Sequence, residues 1–186
     1  MAEVKADIFV SAPLQKAFDI FTDIPNAAAR LSGVTKLEAH SDGPVGPGFK
    51  WTETRTLFGR EASETMTVAE FSPPEFMTVE AFSHGTAYRT RFDFAPQDGG
   101  TKVAMTFSAT PKSLFARIMS IFSGAMMGSV EKLLLKDLQD MKAAAEAAAE
   151  AAVEAAAPQT ASDESANDES ASADAAPAER AGAPRA

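Results

Sequence analysis

Three charged residues in the middle of the chain, Glu53, Arg55 and Glu64, have the types and spacing to act together. Glu53 and Arg55 stand two apart in the alternating segment Trp51-Thr52-Glu53-Thr54-Arg55, so on a strand both leave by the same face. A hairpin turn with Gly59-Arg60 as its two central residues suits a type II′ geometry. It pairs Phe58 with Glu61, Arg55 with Glu64, Glu53 with Met66 and Trp51 with Val68. An arginine between two carboxylates on an inward face supports three readings. It can be a satisfied ion-pair network at the rim of a sheet, because a buried charge without a partner costs several kcal/mol. It can hold the polar head of a ligand, with Arg55 binding a carboxylate, phenolate or carbonyl. It can be catalytic, with Glu53 or Glu64 as general base and Arg55 stabilising an enolate.

Other chemistries find little to build on. The chain has no Cys, which excludes disulfides, thiol catalysis and cysteine-ligated metals. His40 and His84 are its two histidines, and His84 precedes Gly85 at a turn, where a solvated role suits it. No H-x-x-x-H, G-x-S-x-G or P-loop pattern occurs, so no metal centre, serine triad or nucleotide cofactor is expected. The net charge of −9 is unevenly spread. From Ala143 to Ala186 nine acidic residues face only Arg180 and Arg185, and the first 142 residues are close to neutral. A near-neutral core without a Lys/Arg cluster argues against nucleic-acid binding. The longest uncharged run, Ile118 to Val130, is shorter than the roughly 20 apolar residues of a membrane span. No integral membrane segment, no exported leader and a cytoplasmic location are therefore expected.

The elements that would position the charged trio follow from periodicity. Val4, Ala6, Ile8 and Val10 alternate with polar residues as in a half-buried strand. Ser11-Ala12-Pro13 reads as a helix start capped by Ser11, with Leu14, Phe18, Ile20 and Phe21 as its apolar face and a second short helical piece after Pro25. From Gly33 to Thr110, segments rich in Thr, Val and Phe alternate with Gly and Pro turns, which predicts antiparallel strands. A turn at Gly85-Thr86 places Ala81 opposite Thr90 and Val79 opposite Phe92. Pairing across Ser72–Glu75 sets Val68 opposite Val79, and pairing across Gln97–Gly100 sets Phe92 opposite Met105 and Thr90 opposite Phe107. All four registers agree on the inward set: Trp51, Glu53, Arg55, Glu64, Met66, Tyr88, Phe92, Met105 and Phe107 among others. The opposite face carries threonines, Glu80 cross-strand from Arg91, and one large apolar exception, Phe82.

Thr110-Pro111 has the pattern of an N-cap and first helical position. Phe115, Met119, Phe122, Met126, Val130, Leu133/Leu134, Leu138 and Met141 then recur at helical steps, and the inward sheet face is the surface large enough to cover them. Methionine adapts to irregular gaps, so Met119, Phe122 and Met126 are candidate cavity lining with the sheet residues. Ser120, Gly124 and Gly128 at spacing four allow either close backbone approach or space for a ligand. Gly43-Pro44-Val45-Gly46-Pro47-Gly48 reads as a loop at a cavity mouth or a plain turn. Ala143–Ala157 is nearly pure alanine with Glu146, Glu150 and Glu154, a helical extension. Residues 158–186 lack large apolar side chains and are expected to be disordered.

This order of elements resembles the START-like helix-grip superfamily, also called SRPBCC, and the local sequence is most similar to its bacterial polyketide cyclase/dehydrase and lipid-transport branch. The residues that carry the resemblance are Ser11-Ala12-Pro13 with Ala17-Phe18, Phe21-Thr22-Asp23-Ile24-Pro25, Gly48 to Arg55, Phe58-Gly59, Gly100-Thr101-Lys102-Val103 and Lys136-Asp137-Leu138. It implies an α+β fold in which a curved antiparallel sheet of about seven strands wraps a long C-terminal helix, with two short helices after the first strand. It also implies a cavity between sheet and helix. The expected organisation is a ligand-binding domain over 1–142, a helical extension over 143–157 and a tail over 158–186. The expected function is binding or transport of a small hydrophobic or amphipathic ligand such as a lipid, polyketide or aromatic, more as a carrier than as a catalyst and without a cofactor. A cyclase/dehydratase-type enzyme and a protein-interaction module are the alternatives.

Overall fold

Alternation and turn chemistry produce a single antiparallel sheet in the computed structural model, which describes residues 2–57, 59–113 and 124–156. Its strands are β1 (Ala2–Val10), β2 (Val34–Ala39), β3 (Lys50–Leu57), β4 (Arg60–Ser72), β5 (Phe76–Ser83), β6 (Thr86–Gln97) and β7 (Gly100–Pro111). They lie in the order β1-β7-β6-β5-β4-β3-β2, so every neighbour except β1–β7 is joined by a local connection. Between β1 and β2 come helix α1 (Leu14–Thr22) and a 3-10 helix (Ile24–Ala29). After β7 the described chain closes with a long helix, α2 (Gly124–Ala156). This is the helix-grip α+β architecture.

The core forms where α1 and α2 meet the sheet. Phe18 packs at ring distances of 5.4 Å on Phe71 and 5.1 Å on Phe94, and Phe21 reaches Phe94 at 5.5 Å. Leu138, Met141 and Ala145 of α2 join Val10, Val103 and Met105 in the same buried cluster. The alanine-rich part of α2 is therefore packed as well as helical at Ala145 and Ala149, while residues 150–156 are exposed. Ser11 does not cap α1: Pro13 stands at the cap position without a side-chain bond, and Ser11 instead donates its backbone N–H to Glu146 Oε1 of α2 at 2.7 Å. That bond comes first in holding the Glu146 carboxyl below its ordinary value; burial opposes it and Lys142 adds to it. At the start of β7 a Cβ on Gly100 would collide with the Val10 carbonyl oxygen and the Phe9 ring, so only glycine lets the two chain segments approach here.

Two registers agree with the expected ones: Phe92 faces Met105 with Thr90 facing Phe107, and Val68 faces Val79. Two others are displaced by two residues. Leu57 pairs with Arg60, which puts Trp51 opposite Met66, Glu53 opposite Glu64 and Arg55 opposite Ala62. Ser83 pairs with Thr86, and His84 and Gly85 have φ of 48° and 76°. Two positive φ values make a type I′ turn, with Gly second rather than first. Met77 consequently faces Phe92, and Glu80 faces Arg89 instead of Arg91. A shift of two leaves each side chain on its own face, so inward and outward sets survive.

Helix formation does not begin at Thr110-Pro111. Both residues still belong to β7, paired with Ala87 and Thr86. β1 pairs with β7 only as far as Ala109, so Pro111 sits on a free edge, where a missing N–H is harmless. The Gly43–Gly48 loop is pinned by Gly48 N–H to Val68 O at 2.8 Å and packs Val45 behind the wall residues Ile24 and Trp51, contributing no side chain to the lining of the cavity described below. The expectations for Phe115, Met119, Ser120 and Phe122 and for disorder over 158–186 lie outside the described residues.

Candidate functional site

The sheet and α2 do not close on each other completely. Between them, and roofed by the 3-10 helix and Leu31, is a cavity of about 400 Å³, within the range of small-molecule sites. Its walls are mostly apolar. Of the residues expected to line it, Trp51, Met66, Tyr88, Phe92, Met105 and Phe107 do so from the sheet, together with Glu53, Arg55 and Glu64. Met126 lies in the first turn of α2, where the backbone alone is described. A Cβ at Gly128 would meet nothing within 4 Å among the described residues.

The sheet wall combines stiff and adaptable side chains. Tyr88 and Phe107 stack, with ring centroids 6.1 Å apart and planes inclined by 24°. Trp51 sits against Phe49 in a second buried cluster with Ile24, Val68, Met77 and Val79. Its indole Nε1 is buried with no hydrogen-bond partner among the described residues. Trp51 is thus both core and cavity wall.

The charges gather at the end of the cavity where β3 and β4 meet α2. Arg55 Nε donates to Glu53 Oε1, and Arg55 Nη1 reaches Asp137 at 2.8 Å to Oδ2 and 3.1 Å to Oδ1. Asp137 comes from α2, so the arginine ties helix to sheet. Burial works against the guanidinium charge, but the carboxylates of Asp137 and Glu53 outweigh it and hold Arg55 above its ordinary value. Burial also pushes Asp137 up; Arg55 pulls it back in part, and the nearby Glu53 and Asp140 carboxylates push the same way as burial. Two acids therefore compete for one cation. Glu64 lines the cavity directly across from Glu53 and has no hydrogen bond or ion pair to any described residue. The expected Arg55–Glu64 pair does not form, because the two-residue register shift hands Arg55 to its own strand neighbour and to the helix.

Asp137 is the site residue that charge spacing on the strands could not supply. Its signal was nonetheless present: a single acid within the apolar stripe Leu133, Leu134, Leu138 and Met141, all of which line the cavity. Phe21, from α1, and Ile24, Ala27 and Leu31, from the segment between α1 and β2, complete the roof. Chemically, this end of the cavity offers one carboxylate without a partner among the described residues and one arginine already bridged by two acids. No group of three or more metal-ligating side chains occurs among the described residues. No described helix is long and apolar enough to cross a membrane.

The model of a family described as polyketide cyclase/dehydrase and lipid transport matches residues 1–146. Comparison with curated protein sequences gives no match. Among solved structures, the Zhui aromatase/cyclase from Streptomyces sp. R1128 is similar with a TM-score of 0.64 and 15% identity, over 78% of this chain and 93% of that one. The protein TTHA0849 from Thermus thermophilus is similar with a TM-score of 0.62 and 19% identity, over 81% of this chain and 99% of that one. CV1439 from Chromobacterium violaceum gives 0.56 and 17%, over 78% and 99%. At these identities the structural likeness concerns the fold.

Proposed function

The chain belongs to the polyketide cyclase/dehydrase and lipid transport family, and from that premise we propose that it binds one small amphipathic molecule between sheet and α2, as a carrier or binding protein. The observation that carries this reading is the cavity: about 400 Å³, walled mostly by apolar and aromatic side chains, with its charges collected at one end. Apolar walls facing empty space lack the dispersion contacts a close-packed interior would have, so a guest of matching shape gains them. Polar groups at one end then fix which way the guest lies. The similarity to an aromatase/cyclase favours a second reading, an enzyme that folds or dehydrates a polyketide. It takes second place because Arg55, the cation that would stabilise an enolate, is already bridged by Glu53 and Asp137.

Mass spectrometry of the full chain under native conditions is expected to show a retained hydrophobic molecule or, after extraction, saturable one-to-one binding of a neutral fluorescent probe such as N-phenyl-1-naphthylamine. Met105→Trp, which fills the cavity from β7, should weaken probe binding at least about tenfold. A protein with no saturable site for any member of a lipid, sterol and aromatic polyketide panel would contradict the reading.

A further inference from the structure

We infer that the cavity selects ligands whose polar end is a protonated amine and discriminates against carboxylates, with Glu64 as the group that receives the amine. This rests on the cavity-binding reading above and names the ligand class for it.

The charged end of the cavity holds three carboxylates, Glu53, Glu64 and Asp137, against one guanidinium, that of Arg55. The arginine's Nε and Nη1 are committed to Glu53 and Asp137. An incoming carboxylate could reach only the donors the guanidinium has left, chiefly Nη2, and would do so while facing three carboxylates. Glu64, by contrast, has no cation or hydrogen-bond donor among the described residues. It also lies directly across the β3–β4 ladder from Glu53, and like charges in that position repel. Sheets ordinarily avoid this arrangement or place a cation beside it. Among the described residues Arg55, already engaged by Glu53 and Asp137, is the one cation lining the cavity, so a cation brought by the ligand would relieve the repulsion that Glu64 still meets. An ammonium entering between Glu64 and Glu53 would make charge-assisted hydrogen bonds in a partly desolvated site, where they are stronger than in water. Its apolar body would then lie along Met66, Tyr88 and Phe107.

The test uses the full chain, N-phenyl-1-naphthylamine as a neutral reporter, and three competitors with one body: 1-naphthylmethylamine, 1-naphthylmethanol and 1-naphthoic acid. At neutral pH the amine is expected to displace the reporter at a concentration about tenfold or more below that of the acid, with the alcohol between them. Glu64→Gln should shrink the amine-to-acid ratio to about threefold or less, each competitor being read against the reporter affinity of the same variant, and Glu64→Lys should invert the order. Thermal melts of both variants confirm folding. Acid binding as well as amine, with the reporter still bound, overturns the charge selectivity and leaves the cavity reading intact. Amine preference that persists in Glu64→Gln overturns the assignment to Glu64. A reporter that finds no saturable site overturns the cavity reading, and this inference falls with it.

Discussion

The two faces of one sheet carry similar charged networks to different ends. On the outer face Arg89 reaches Glu80 at 2.5 Å and Glu70 at 2.7 Å, and Arg91 pairs with Asp93 at 2.8 Å while lying 3.9 Å over the Phe76 ring. On the inner face Arg55 holds Glu53 and Asp137. The residue types and many distances match; the surroundings do not. The outer side chains Arg89, Glu70 and Glu80 are 44%, 47% and 49% exposed, whereas Arg55, Glu53 and Asp137 are 20%, 7% and 22% exposed. Water screens the outer set and leaves each pair worth little. The inner set is desolvated, so its members depend on one another, and a change in one is felt by the other two. The difference teaches that charge count does not locate function in this molecule. Burial does.

The largest expected effect comes from removing the inner cation. Arg55→Met should cost about 3 kcal/mol in urea unfolding, because it strands the Glu53 and Asp137 carboxylates in a partly dry site. Replacing the whole set, Glu53→Leu with Arg55→Met and Asp137→Leu, should recover most of that loss, since apolar side chains of similar size need no partner. If the triple variant is no more stable than the single one, stranded charge is not what makes Arg55 necessary.

Intermediate effects should appear as opposite pH responses along α2. Asp137 is pushed above its ordinary 3.8 mainly by burial, so the folded chain holds that proton more tightly than the unfolded one. Its contribution to stability is complete below about 3.8 and is lost as pH rises through the raised value. The stability of the native chain minus that of Asp137→Asn should therefore be larger near pH 4 than near pH 7. Glu146, held below 4.5 first by the Ser11 N–H, runs the other way. Its contribution is present above that value and fades as pH falls through the lowered one, so the difference from Glu146→Gln should shrink in acid. Parallel pH profiles for the two variants would erase the distinction between an acid governed by desolvation and one governed by a hydrogen bond.

Legibility in the sequence followed the same division. Which residues face inward could be read because a strand has period two, and an error of two residues in a turn leaves parity untouched. That is why Trp51, Met66, Tyr88, Phe92, Met105 and Phe107 line the cavity although two hairpin registers differ from the expected ones. Which residue faces which depended on whether Gly59 and Gly85 stand first or second in their turns, and both type II′ and type I′ accept glycine. The slip at Ala69, where the register changes between Val68 and Glu70, has no glycine or proline to announce it. The Arg55–Glu64 pair was lost to this local ambiguity. Asp137 was hidden for another reason: its partner lies 82 positions away, and a helix pattern shows a face without showing what that face meets. Thr110-Pro111 illustrates a third limit, since a proline suited to a helix start is equally suited to a free strand edge.

The smallest effect belongs to the outer face, and it is the sharpest control on the comparison. A double-mutant cycle with Glu80→Gln and Arg89→Gln should give a coupling of about 0.5 kcal/mol at low salt. High salt should remove it, because both side chains are nearly half exposed and the pair is directly cross-strand on a solvated surface. The corresponding cycle with Arg55→Gln and Asp137→Asn should be larger and should change little with salt, since both side chains are mostly buried and a partly buried pair is screened much less than an exposed one. The two cycles compare the same chemical pair, guanidinium with carboxylate, in one molecule and one sheet. Equal couplings with equal salt dependence would mean that the inner charges are solvated as freely as the outer ones. The cavity would then have no electrostatic preference to impose on a ligand.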